Sequence, residues 1–411
     1  MNVLYLLSQR PDSTGSGIYT RALIAKAAQD GHRCSLVAAE SAFDALDVSG
    51  IKADHIHMVT FDNPPLSFPV PGMSDVMPYP SSRFMDLDER QLEAYEKAFT
   101  QAIMVAVEKN RPDIIHSNHL WIMSALARRL YPEIPMVVSC HGTDLRQFRN
   151  CPHLRERLIR NIPNVDMIFA LTPRQKTEIS KLYGMNEEKI HVVPTGFDPD
   201  IFYPKPKPAS PPFTLLYAGK ISQSKGLVQL LESLSHKRLR HLPIHLYVAG
   251  SGSGPDKDLC NAIAEKIPDK ITFCGSLSPR DLGGMMRKAH VFVLPSFFEG
   301  LPLVIIEALA SGCRIVATDL PGIRELVEGL QGNWGQLINL PDLETIDRPY
   351  DKDMPLIRER LASALELQIM EYGEKEALSS DFFNDLKEKY SWESVFKHVE
   401  SIYTDLVMQN V

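Results

Sequence analysis

Short apolar runs alternate with helix-period segments from one end of this 411-residue chain to the other. That alternation admits few folds, because it marks βαβ units wound into parallel sheets. Strands are expected at VLYLL, CSLVAA, HIHMV, DIIHS, PMVVSC, DMIFALT and HVVP, with a long amphipathic helix from about Leu87 to Lys109 among the helices between them. A second series follows at FTLLYAG, IHLYVAG, KITFCG, HVFVLP, RIVATD and QLINL. Between the two lies PDIFYPKPKPASPPF, from Pro199 to Phe213, whose prolines forbid regular structure and predict an extended linker. The fold class is therefore α/β, with two Rossmann-like doubly wound parallel-sheet domains facing each other across a crevice. The first is expected over 1–200 and the second over 201–390. Such sheets bind ligands at the carboxyl ends of their strands, so function is expected in the crevice.

Composition removes several classes of function. Lys plus Arg number 44 against 51 Asp plus Glu, a net charge of -7, which gives no global electrostatic case for nucleic-acid binding. The amino-terminal run MNVLYLLSQRP has no basic residue before it and ends too soon for a secretory core, so it reads as a first strand. No uncharged apolar stretch approaches the roughly 18 residues that span a bilayer. Cys34, Cys140, Cys151, Cys260, Cys274 and Cys313 show no C-x-x-C pairing and fit small core residues in a reducing cytoplasm. The pairs His55/His57 and His116/His119 lack a third or fourth ligand at metal-site spacing, so no metal is expected.

The most informative segment is PSFFEGLPLVIIEALASGCRIVATD, from Pro295 to Asp319. A strand ends at Leu294, Glu299 and Gly300 turn the chain, and a helix runs from the Pro302 turn to about Ser311, with Gly312 as its stop. Its exposed N–H groups, from Gly300 and Leu301 to Leu303, make an anion site suited to phosphate. Glu299 and Glu307 frame that site, separated along the helix axis by at most about 12 Å. Glu307 stands in an apolar run where an unpaired charge is costly. It must find a partner, either a ribose diol or a structural Arg or Lys.

Lys220 and Lys225 flank the strand-to-helix turn that opens the second series and would neutralise a diphosphate. In the first series the turn TGSG brings Gly15 and Gly17 to a helix start, where the backbone can approach a ligand. With Glu40 these glycines partly mimic a dinucleotide fingerprint, the alternative being NAD-dependent oxidoreduction, but the third glycine position holds Thr20. After strand PMVVSC come His141, Gly142, Thr143 and Asp144. His141 could bond a substrate hydroxyl, and Asp144 could orient a polar group or cap a helix. Cys140 and His141, being neighbours at a strand end, point to opposite faces and do not form a nucleophile pair.

These segments resemble the family 4 retaining glycosyltransferases of GT-B architecture along nearly the whole chain. The matches are TGSG at 14–17, HGTD at 141–144, PTGFDPDIF at 194–202, GK…KG at 219–226, EGLPLVIIE at 299–307 and SWESV at the entry to the last helix. The resemblance implies a hexosyl- or N-acetylhexosaminyltransferase that uses a nucleoside diphosphate sugar, UDP-sugar favoured, on a hydroxyl acceptor, by a metal-independent same-face mechanism with no cofactor. It implies that Glu307 binds the ribose, Lys220 and Lys225 the diphosphate, and Gly17 with the Gly300–Leu303 backbone the phosphates and sugar. Glu299 would hold sugar hydroxyls and His141 would contact the sugar beside the reacting carbon. His141, Glu299 and Lys225 are the expected catalytic set. The segment Phe273–Leu277, with Gly275, resembles the part that holds the base. The last helix, 391–411, would return to the first domain. Lys220 where relatives have Arg, Thr195 where they have Asn, and Leu301-Pro302 where they have Phe-Gly are departures that remove no needed group.

Acceptor choice is expected from the first domain. The proline-rich loop Phe61–Phe84 is too long for a connector and would cover the acceptor. Arg146, Arg149, Arg155, Arg157 and Arg160 would receive an anionic acceptor or contact anionic lipid headgroups at a membrane surface, or else line a solvated helix face. The TGSG and HGTD loops are similar to those of the subgroup that glycosylates malate, beside which a sugar or lipid-linked acceptor stays open. A sugar-nucleotide epimerase of the same architecture and a non-catalytic nucleotide-sugar binder are the rival readings.

Overall fold

The computed structural model describes residues 1–12, 14–41, 50–75, 77–328, 330, 334–372 and 380–409. The chain forms two compact units, Met1–Thr195 with Trp392–Val411, and Gly196–Ser391. Each run expected as a strand is one.

In the first unit the strands are β1 (Asn2–Leu7), β2 (Arg33–Ser41), β3 (Ile56–Phe61), β4 (Ile114–Asn118), β5 (Met136–Ser139), β6 (Met167–Ala170) and β7 (Ile190–Val192). They lie in the order β3-β2-β1-β4-β5-β6-β7, all parallel. β1 and β4 are buried on both faces, as the unbroken apolar runs require of a sheet covered by helices on each side. Helix α1 (Gly15–Gln29) begins where Thr14 Oγ1 accepts the Gly17 N–H at 3.0 Å. Helix α2 (Glu89–Asn110) opens on a reciprocal Asp88/Gln91 capping box and buries Leu92, Tyr95, Phe99, Ile103 and Ala106 along one stripe. Helix α3 (Thr143–Asn150) follows β5.

The second unit holds β8 (Phe213–Ala218), β9 (Ile244–Ala249), β10 (Ile271–Gly275), β11 (Val291–Leu294), β12 (Arg314–Thr318) and β13 (Gly335–Ile338), parallel in the order β10-β9-β8-β11-β12-β13. Helices α4 (Leu227–Ser233), α5 (Leu303–Ala310) and α6 (Pro321–Val327) lie among its crossovers. In each sheet the chain reverses direction of travel beside the first strand, between β1 and β4 and between β8 and β11. A reversal of this kind opens a crevice at the strand carboxyl ends.

The proline stretch is not the junction. The units divide at 195/196 and 391/392, where 200/201 and 390/391 were expected. The prolines lie inside the second unit, as a strap. Lys207 Nζ donates to the Met286 carbonyl at 2.8 Å and the Ser311 carbonyl at 2.9 Å, and His290 Nε2 donates to the Pro208 carbonyl at 3.1 Å. Extended proline-rich chain has no ladder of its own, so it lends its carbonyls and side chains to whatever surface it crosses. The last helix, α7 (Trp392–Gln409), belongs to the first unit and buries Trp392, Val395, Phe396, Val399, Ile402, Tyr403 and Leu406 there. Fully burying a large apolar side chain is worth about 1.5–3 kcal/mol, so this stripe suffices to hold the helix.

Candidate functional site

In the second unit the side chains expected to bind a donor gather at the carboxyl ends of β8 and β11. After β8, Gly219 and Lys220 turn the chain, a 3-10 turn spans Gln223–Lys225, and Gly226 in the left-handed region leads into α4. A Cβ on Gly226 would fall 2.0 Å from the Pro295 carbonyl oxygen, so only glycine lets this turn meet the end of β11. The two loops are tied by the Phe297 N–H, which donates to the Ser224 carbonyl at 2.8 Å. Lys225 Nζ meets Glu299 Oε1 at 2.7 Å. The sequence reading gave these two residues separate partners; here they neutralise each other. Burial, with the charge of Lys225, lowers the Lys220 ammonium to about 8, and Glu299 opposes that shift.

Pro302 is the N-cap residue of α5, and the helix begins at Leu303 with no side chain capping its first turn. Exposed helix N–H groups carry partial positive charge, and the site can accept an anion. The turn is held from behind, where a Cβ on Gly322 of α6 would lie 1.7 Å from the Gly300 carbonyl oxygen. Glu307 stands one helical turn and more along α5, partly buried, its carboxyl raised to about 8 by burial alone. Among the described residues no arginine or lysine pairs with it, so a structural ion pair is not its role. Gly275, at the end of edge strand β10, has a φ of +69° and accepts the Gly250 N–H at 2.8 Å.

In the first unit His141 lies just past β5. Its Nε2 is 2.9 Å from Asn118 Oδ1, at the end of β4, and the rings of Tyr19 and His119 stand edge-on to it at 5.0 and 4.9 Å. Burial holds its imidazole down to about 3, so the ring is neutral near pH 7. Asp144 is fully buried and accepts the N–H groups of Leu120 at 3.0 Å and His141 at 3.3 Å, and the Cys140 thiol at 3.3 Å. It builds the two turns around His141 and has no exposed oxygen to offer a ligand. Gly17 packs where a Cβ would lie 2.7 Å from the Pro11 carbonyl oxygen, while Gly15 has open space.

Two family models match this chain, Glycosyltransferase Family 4 over residues 13–201 and Glycosyl transferases group 1 over residues 212–346. The chain belongs to the family 4 glycosyltransferases. D-inositol 3-phosphate glycosyltransferase of Arthrobacter sp. is 28% identical over 347 residues, 78% of each chain. Glycogen synthase of Mycobacterium tuberculosis is 28% identical over 228 residues, 53% of this chain and 54% of the relative, so the match spans about half the length of that protein. The solved structure of Anabaena HepE in complex with UDP and glucose covers 98% of this chain and 99% of its own at 16% identity, with a TM-score of 0.66. The fold is GT-B.

Within this family 4 glycosyltransferase four of the five clustered arginine side chains, all but that of Arg160, meet partners of the same chain among the described residues. Arg146, buried, forms a two-pronged pair with Asp75, Arg149 pairs with Glu178, Arg157 bridges Glu89 and Glu96, and Arg155 donates to the Phe148 carbonyl at 2.7 Å. The pair at Asp75, with Gln147 Nε2 donating to the Met73 carbonyl at 3.1 Å, pins the Phe61–Phe84 loop onto α3. Thr20, at the third dinucleotide glycine position, is buried and donates to the Ser16 carbonyl at 2.7 Å, while Glu40 accepts from Thr60 at 3.0 Å. Asn118, Tyr19 and Gly322 escaped the sequence reading. Asn118 closes the buried strand IIHSN, where an amide needs a stated purpose, and that was its one signal. Among the described residues no three His, Cys, Asp or Glu gather as metal ligands, and no helix is long and apolar enough to cross a membrane.

Proposed function

We propose that the protein transfers a hexosyl or N-acetylhexosaminyl group from a nucleoside diphosphate sugar, a UDP-sugar in the first instance, to a hydroxyl acceptor with retention of configuration and without a metal. One observation carries this reading. Glu307, on a helix with an uncapped amino end, is a carboxyl that meets no ion-pair partner among the described residues, eight positions beyond Glu299 of the Glu299–Lys225 pair. A carboxylate so placed accepts from two vicinal hydroxyls, as in a ribose. UDP and glucose bound to the HepE structure favour a UDP-sugar among the nucleotides.

Lys220, Lys225 and the first turn of α5 receive the diphosphate and stabilise the charge that develops as it departs. Glu299 holds hydroxyls of the transferred sugar, and His141 contacts the sugar beside the reacting carbon. Gly17 lets backbone approach the phosphates, and Gly275 lies at the segment that holds the base. The acceptor hydroxyl attacks from the face the diphosphate leaves. The bond from the anomeric carbon to the phosphate oxygen breaks, the bond to the acceptor oxygen forms, and the acceptor proton passes to the leaving phosphate. The acceptor lies under the Phe61–Phe84 loop at the strand ends of the first unit.

Incubation with UDP-, GDP- and ADP-sugars, read by mass spectrometry, tests this reading. Slow release of one nucleoside diphosphate, and faster release with a hydroxy-carboxylate, sugar or lipid-linked acceptor, is expected. Conversion of the sugar nucleotide into an isomer without release would establish the epimerase instead, and an inverted product anomer would remove the same-face mechanism.

A further inference from the structure

The imidazole of His141 meets Asn118 through Nε2, and the geometry behind that bond fixes which of its nitrogens carries the proton. Asn118 is 1% exposed at the end of β4, its backbone in register with Leu7 of β1 and Ser139 of β5. Its Nδ2 donates to the Leu6 carbonyl at 3.1 Å. Turning the amide over would set Oδ1 of this buried side chain against that carbonyl oxygen, two acceptors face to face. Oδ1 therefore faces His141 Nε2, 2.9 Å away, and an amide oxygen can only accept. The proton of the neutral ring must sit on Nε2, and Nδ1 is left as a bare lone pair.

We propose that Asn118 is a positioning residue that locks His141 in the Nε2–H tautomer and so presents Nδ1 as a hydrogen-bond acceptor to a hydroxyl of the transferred sugar. Tyr19 and His119 clamp the ring edge-on, and so hold that lone pair in one direction. The groups facing the imidazole keep it neutral. His116 and His119 are buried and held low by burial and by His141 itself. The Asp144 carboxyl is bonded to backbone N–H groups and a thiol, and burial raises the Tyr19 hydroxyl well above its ordinary range. Among the described residues no carboxylate pairs with the ring to favour the imidazolium. An imidazolium would offer two donors and no acceptor.

This inference rests on the proposed transfer for its purpose, yet its first test does not. With the full chain labelled at histidine nitrogen, long-range proton–nitrogen correlation reports the tautomer of each ring, and comparison with His141→Gln assigns His141. The expected spectrum has a protonated Nε2 and an unprotonated Nδ1, unchanged between about pH 6 and 8. A protonated Nδ1, or rapid exchange between the two forms, overturns the proposal.

Asn118→Ala should let the tautomers mix and lower kcat for transfer by about 10- to 100-fold while nucleotide affinity stays within about 3-fold. An unchanged tautomer in that variant overturns the proposal, as does an unchanged kcat. Should Asn118→Ala not fold, Asn118→Asp keeps the shape, and its carboxylate raises the His141 pKa. Transfer by that variant should fall on acidification in a range where wild type is flat, and an unshifted profile overturns the proposal. If the wild type shows the expected tautomer but consumes no nucleotide sugar, the transferase reading fails and the positioning of the ring stands.

Discussion

Glu307 and Lys220 place two proton equilibria in the expected donor site at nearly the same pH. The carboxyl of Glu307 is raised to about 8 by burial, so the folded chain holds this proton more tightly than the unfolded chain does. Its contribution to stability is complete below the ordinary carboxylate range and is lost as pH rises through about 8. Glu307→Gln, which cannot ionise, should therefore raise the Tm of the ligand-free protein by about 1–3 °C at about pH 9 and hardly at all at about pH 5. Equal shifts at both would mean that the carboxyl is not perturbed. For a nucleotide the dependence has two limbs. Ribose hydroxyls donate to the ionised carboxylate, so affinity climbs toward about 8; the diphosphate favours the charged form of Lys220, lowered to about 8, so affinity declines above it. Titration calorimetry across pH should give a maximum near 8, with the acid limb absent in Glu307→Gln. Glu307 stood out in the sequence because a charge in an apolar helix must answer for itself. The Lys225–Glu299 contact did not, since the residues lie on different loops, and a pairing of that separation is set by the sheet order.

At the scale of the element, the proposed anion site depends on a second helix packed behind it. Gly322→Ala in α6 would drive a methyl group into the Gly300 carbonyl, 1.7 Å from its ideal position, and push the first turn of α5 out of place. Loss of nucleotide affinity by about 10-fold or more is expected, with a stability cost of about 1–3 kcal/mol. Wild-type affinity in Gly322→Ala would show that the turn is not needed. In α7, Tyr403 OH bonds His116 Nδ1, and His116 Nε2 lies 2.7 Å from Ser139 Oγ, which donates to Tyr19 OH at 3.1 Å. Tyr403→Phe leaves a buried ring nitrogen without a donor and should cost about 1–3 kcal/mol in denaturant unfolding. The strands and α7 could be read from periodicity because each is decided by its own apolar face. The strap over 204–212 could not, because its proline content says that it is extended and leaves unsaid what it lies against.

The chain folds as two units that each have a core, one of them completed by the last helix of the chain. Calorimetry should resolve two thermal transitions, with Tyr403→Phe lowering one and a bound nucleotide raising the other. A nucleotide that raised the transition sensitive to Tyr403→Phe would place its site in the wrong unit. That two doubly wound units exist was plain from the repeated strand series. The junctions at 195/196 and 391/392 lie close to the expected 200/201 and 390/391; what composition hid is that the conspicuous prolines belong to the second unit. The central claim is that nucleotide recognition and sugar handling rest on different residues, and it is tested most directly by measuring nucleotide affinity and transfer rate side by side in Glu307→Ala and His141→Ala. Affinity lost in Glu307→Ala, with affinity kept and transfer suppressed in His141→Ala, is the predicted result; equal and small effects of both substitutions would contradict it.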